Sequence, residues 1–307
     1  MRSAVFGGKC GTIRFMIGRV ASLSLVLLSA FVLPGGPASA AEIFYMDRDA
    51  FSNEYVGPVG PLVLSGEIVP GDYARLLGKI GEDQNRFLSQ NKLMLASSQG
   101  NAEEAMRIAQ LVKSLYTEVI VGPLTGRCAG ACFLIYAAAA ARGTDGENLL
   151  GVSRPGLAES EWAAMPTARA ALLEDGMQAS VRTFLSDNEV PPDLVDEMFK
   201  RPPTDIYWLS EQQEAALSPK SPSFAKYLAD KCGWNAGLER AVYQGQRPVD
   251  DLKKLSACRL STTQPEARKA LAQALKDAQP TKSAPAAAPA PAGKKKSASQ
   301  SSTTRGK

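Results

Sequence analysis

The chain has 307 residues, 45% hydrophobic and 21% charged, with 35 basic residues against 31 acidic ones and no histidine. That is length and apolar content enough for a buried core, and the missing imidazole excludes a Ser-His-Asp triad and any histidine-ligated metal centre. The basic excess belongs to the two ends; residues 41–278 carry 25 basic against 31 acidic side chains, so charge gives no support to a nucleic-acid-binding role for the body.

Residues 1–40 read as a secretory signal peptide. Arg2, Lys9, Arg14 and Arg19 precede the apolar run Val20–Leu33, which is too short to span a bilayer, and Ala38-Ser39-Ala40 is an A-x-A cleavage motif. The mature chain is expected to begin at Ala41, in the periplasm or outside the cell. Pro61–Ile68 is a β-like run with a glycine kink at Gly66, and Tyr73–Ile80 repeats apolar residues at helical spacing. Lys92–Ser97 predicts a buried strand. The turn Ser98-Gln99-Gly100-Asn101 follows, then a helix with Glu103 and Glu104 in its first turn, where the macrodipole favours acids. Thr117–Val121 predicts the next strand. A second turn, Arg127-Cys128-Ala129-Gly130-Ala131-Cys132, opens a helix that is apolar on every face and is expected to end near Arg142-Gly143.

Leu149–Val152 predicts a further strand, and Ala168–Asp187 a long helix with Leu172, Leu173, Met177, Val181, Phe184 and Leu185 on its inner face. Pro191-Pro192-Asp193 starts a short helix, Ile206–Leu209 a last strand, and Ser210 a capping-box helix. Alternating strands and helices imply an α/β fold with a mainly parallel sheet in residues 41–218. Residues 219–278 predict a small helical appendage, and the Ala/Pro/Lys-rich stretch 279–307 a solvated tail without structure.

After signal cleavage four cysteines remain, an even number that fits disulfides in an oxidising compartment. Of three pairings, Cys128–Cys132 and Cys232–Cys258 are favoured because each closes one local module. Zinc-knuckle spacing is absent, and no metal site or cofactor is expected.

The run 93–142, with its strand, glycine turn, helix, strand and second glycine turn, resembles the ClpP/crotonase superfamily, especially bacterial periplasmic ClpP-like proteins. The resemblance covers about residues 60–217 and implies a ClpP/crotonase-like β-β-α superhelix. In such proteins the second turn reads Cys-Ala-Ser-Ala-Cys and its serine is the nucleophile; Gly130 stands there, ahead of the free amides of the helix that Ala131 begins. The family favours Ser-Pro-Gly-Gly in the first turn, its second glycine supplying an oxyanion-hole amide. Here Gly100 is followed by Asn101, the best substitute for a left-handed backbone. A Gly-Phe-His-Arg-Pro segment carries the family's general base; Ser153 takes the histidine's place in Gly151-Val152-Ser153-Arg154-Pro155, and a hydroxyl accepts no proton near neutral pH. Pro202 stands nearest the third triad member, with Asp205 a neighbour without assigned role.

Gly100, Asn101, Gly130, Ala131 and Ser153 are therefore read as vestigial site positions, with no catalytic residue. The leading expectation is an exported ClpP-like pseudoenzyme that binds or assembles in the cell envelope, with a peptide or envelope protein as partner, or further copies of itself. The alternatives are a hydrolase or lyase with a rearranged site, recruiting Ser97, Ser98 or Ser153, and a structural envelope protein.

Overall fold

The computed structural model describes residues 40–46, 60–122, 126–217 and 219–279. The expected signal peptide, apart from Ala40, and the expected tail, apart from Gln279, lie outside the described residues. The elements in chain order are β1 (Glu42–Tyr45), β2 (Leu62–Ser65), α1 (Asp72–Glu82), α2 (Gln84–Gln90), β3 (Lys92–Ala96), α3 (Ala102–Ser114), β4 (Glu118–Val121), α4 (Ala131–Ala138) and β5 (Ala141–Thr144). They continue with β6 (Gly151–Val152), α5 (Glu159–Ala164), α6 (Thr167–Asp187), α7 (Pro192–Lys200), β7 (Tyr207–Trp208), α8 (Glu211–Ala216), α9 (Pro222–Cys232), α10 (Ala236–Tyr243) and α11 (Val249–Asp277).

The fold is α/β with a mostly parallel central sheet. Its order is β1-β2-β3-β4-β5; β2 to β5 are parallel, and β1 is an antiparallel edge. The runs Leu62-Val63-Leu64 and Leu93-Met94-Leu95 are buried along their whole length, as strands covered on both faces require. Leu76, Leu77 and Ile80 of α1 and Ala105, Ile108 and Val112 of α3 belong to the same core, and every residue of α4 is buried. Beyond the ends of the strands, short extended stretches bridge side by side in parallel: Ile68 with Gly100, Ser97 with Cys128, Cys128 with Leu150, and Asn101 with Gly156. Strand, extended stretch and helix thus recur from β2 to α5.

The structure corrects three expectations about elements. The apolar helix stops at Ala138, and Ala139 turns extended with φ −61° and ψ 139°. The remaining alanines are good helix formers, but Ala141–Thr144 pair with β4, so a place in the sheet overrides propensity. The run 149–152 contributes only β6, paired antiparallel with β7 outside the main sheet. On α6 the packed positions are Ala170, Val181 and Leu185, with Met177 and Phe184 against the core. Leu172 and Leu173 are 73% and 43% exposed; Leu172 lies about 200° around the helix from Ala170.

The C-terminal helices are larger than expected. In place of a small appendage, residues 219–278 contain the 29-residue α11, which continues through Pro265. Ala267 and Leu271 of α11 are fully buried in the main core. Glu118 receives Arg259 at 3.1 Å, and Gln264 donates to the Leu88 carbonyl at 3.1 Å. A second, small cluster of Ala140, Ala141, Phe224 and Leu228 seats α9.

Candidate functional site

The three turns singled out in the sequence meet at one end of the parallel sheet. The Ala129 N–H donates to the Ser97 carbonyl, the Cys128 N–H to Leu149 and the Gly151 N–H to Cys128, each at 2.9 Å. Backbone bonds therefore hold residues 97–101, 128–130 and 149–153 together.

In the first turn Gly100 has φ 137°, and a Cβ there would lie 2.4 Å from the Ile68 carbonyl oxygen, so only glycine fits. Asn101 does not adopt the left-handed backbone that its residue type suggests; φ −71° and ψ 119° are those of an N-cap. Its Oδ1 accepts from the Glu104 N–H at 2.7 Å, capping α3, and its Nδ2 donates to Glu161 Oε2 at 2.6 Å. The Asn101 N–H, at the place where the resemblance puts an oxyanion donor, donates to the Ile68 carbonyl at 2.7 Å, and the Ala102 N–H donates to Gly156 at 2.9 Å. Both amides are committed to the fold. Glu104 does more than meet its own helix dipole: it is buried, and Oε1 accepts from the N–H groups of Gly71 and Tyr73 at 2.9 and 2.7 Å, capping α1.

In the second turn Gly130 precedes α4 with φ 56° and ψ −122°, a sharp strand-to-helix elbow of the kind that presents a nucleophile. A side chain at 130 would meet the Ser98 carbonyl oxygen at 3.2 Å, Ser153 Oγ at 3.3 Å and Gln99 Cα at 3.7 Å. Gly130 and Ser153 are thus brought together, and none of these neighbouring atoms takes a proton near neutral pH. Cys128 and Cys132 lie at disulfide distance across the elbow, with S–S 2.11 Å and Cα atoms 5.3 Å apart, and both are fully buried. Gly130, Ala131 and Ser153 are buried beneath the exposed Ser98 and Gln99.

The other candidates point away from chemistry. Ser97 Oγ donates to the Gln99 carbonyl at 3.0 Å, a turn-stabilising bond. Pro202 is exposed, and the exposed Asp205 carboxylate pairs with Arg201 at 3.1 Å. Among the described residues no group of three or more cysteine and carboxylate side chains is placed to hold a metal ion. Sequence reasoning missed Ile68, Gly156 and Glu161, the partners that absorb the first turn. The spacing of Asn101 and Glu104 was the available signal for a cap.

No known protein family matches the chain, and neither a curated protein nor a solved structure is significantly similar to it. The two disulfides, with Cys232 and Cys258 bonded at Cα atoms 5.9 Å apart, fit an oxidising, non-cytoplasmic compartment. Among the described residues no helix is long and apolar enough to cross a membrane.

Proposed function

We propose that the protein is an exported, catalytically silent member of the ClpP/crotonase group, acting as a binding or assembly module in the cell envelope. The recurrence of strand, bridged stretch and helix supports the β-β-α reading. One observation carries the functional part. The elbow that would present a nucleophile holds Gly130, with a serine hydroxyl where a base is needed and with the Asn101 amide already bonded to Ile68. Nucleophile, base and one oxyanion donor are lost together, while the backbone around them stays tied by hydrogen bonds.

The test is incubation of the purified mature protein with a serine-reactive fluorophosphonate. The expected result is no labelling above the heat-denatured control. Stoichiometric labelling of any serine would overturn the reading in favour of a hydrolase with a rearranged site.

A further inference from the structure

The outward face of α11 is basic. Lys254, Arg268, Lys269 and Lys276 are exposed, and the helical repeat sets all four within about 100° of arc. The buried Thr263, Ala267 and Leu271 centre about 150° away on the same helix. Lys254, Lys269 and Lys276 form no ion pair among the described residues. The acids of the helix are each engaged elsewhere. Asp250 pairs with Lys253 at 3.4 Å and Asp251 with Arg247 at 2.9 Å, while Glu266 accepts from the Tyr116 hydroxyl at 2.5 Å and Asp277 from Gln273 at 2.7 Å. We propose that this face, together with residues 280–307, docks the protein on a membrane surface rich in anionic phospholipid.

Charge is the first argument. From α11 the chain continues through residues 280–307, which carry six basic side chains and no acidic one. Residues 249–307 thus hold 12 bases against 4 acids, whereas residues 41–248 hold 19 against 27. The mature chain is polarised, +8 against −8, so an anionic surface attracts one part and repels the other.

Residue type is the second. Nine of the 12 bases are lysines, which act as point charges, whereas bidentate capture of a single phosphate favours arginine. Residues 249–307 contain no Phe, Trp or Tyr and so offer nucleobases no stacking platform. Between its cations the outward face presents Ser261, Pro265 and Ala272, too little apolar surface to insert among acyl chains. The attraction is therefore electrostatic, spread over about 33 Å of helix axis between Lys254 and Lys276. A planar array of headgroups matches such a row better than any pocket-sized anion does.

Co-sedimentation of the intact mature protein with vesicles tests this. Phosphatidylcholine vesicles containing about 30% phosphatidylglycerol should bind it saturably in about 0.1 M salt, and pure phosphatidylcholine should not. Salt at about 1 M, where the Debye length falls to about 3 Å, should release it. Each basic side chain near such a surface strengthens binding roughly fivefold. Replacing all three free lysines of α11 (Lys254→Gln, Lys269→Gln, Lys276→Gln) should therefore weaken binding by at least about tenfold. The three are exposed, so the variant should fold, checked by unchanged melting temperature. No binding to the anionic vesicles, equal binding to neutral ones, retention in high salt or an unaffected triple variant would each overturn the proposal. So would preferential binding of soluble polyphosphate at equal phosphate concentration, which would make a free polyanion the ligand.

Discussion

Gly130 sits at φ 56° and ψ −122°, a backbone that a side chain enters only at a cost. A strained non-glycine residue of this kind costs on the order of 1–3 kcal/mol and persists only where the surrounding structure holds it in place. Glycine at 130 adopts this backbone without that strain. Gly130→Ser is therefore expected to lower stability by about 1–3 kcal/mol in urea denaturation. It should gain no fluorophosphonate reactivity, because the side-chain atom nearest to it is the Ser153 hydroxyl, which takes no proton near neutral pH. A gain of reactivity would mean that a base lies within reach. At this scale the sequence was half legible. That no hydroxyl stands at 130 and no imidazole at 153 could be read directly from residue types. The fate of the Asn101 amide could not, because it depends on Ile68, a partner 33 positions away in the chain.

Helices and strands were legible where local pattern and tertiary demand agreed. β3 carries a continuous buried run, β4 an alternating one and α3 a capped amphipathic stripe, and they lie where the pattern puts them. The alanine run after Phe133 has helical propensity throughout, yet strand pairing with β4 claims its end. Likewise the leucines of α6 look like core residues, but only the face through Ala170, Val181 and Leu185 meets the body. α11 departs furthest from the expected small appendage, since its largely polar sequence carries three buried positions, Thr263, Ala267 and Leu271. Leu271→Ala should lower stability by about 2–5 kcal/mol. An exposed-site change such as Lys269→Ala should stay within about 0.5 kcal/mol in the same denaturation series.

Over the whole molecule, one half-buried carboxylate ties the C-terminal helix to the sheet. Burial alone would raise the pKa of Glu118, but the Arg259 guanidinium at 3.1 Å and the Lys92 ammonium at 3.9 Å outweigh it and hold the carboxyl below its ordinary value. A carboxyl depressed in the folded state stabilises above its unfolded pKa of about 4.3. That contribution disappears as pH falls through the lower, folded value. The stability of the wild-type protein should therefore decline more steeply below about pH 4.3 than that of Glu118→Gln. The comparison is read from thermal unfolding across a pH series, and parallel acid limbs would count against the ion pair as a tether.

The unequal depth of the two disulfides sets them on different clocks. Cys128 and Cys132 are fully buried, whereas Cys232 and Cys258 are partly exposed between α9 and α11. A thiolate reductant reaches the outer pair through local opening, but reaches the inner pair only when the core itself comes apart. Under native conditions, reduction followed by alkylation and peptide mass mapping should mark Cys232 and Cys258 first. Modification of Cys128 and Cys132 should lag until denaturant is added. The elbow at Gly130 thus carries its own recorder: a label on its cysteines counts the occasions on which the whole molecule has opened.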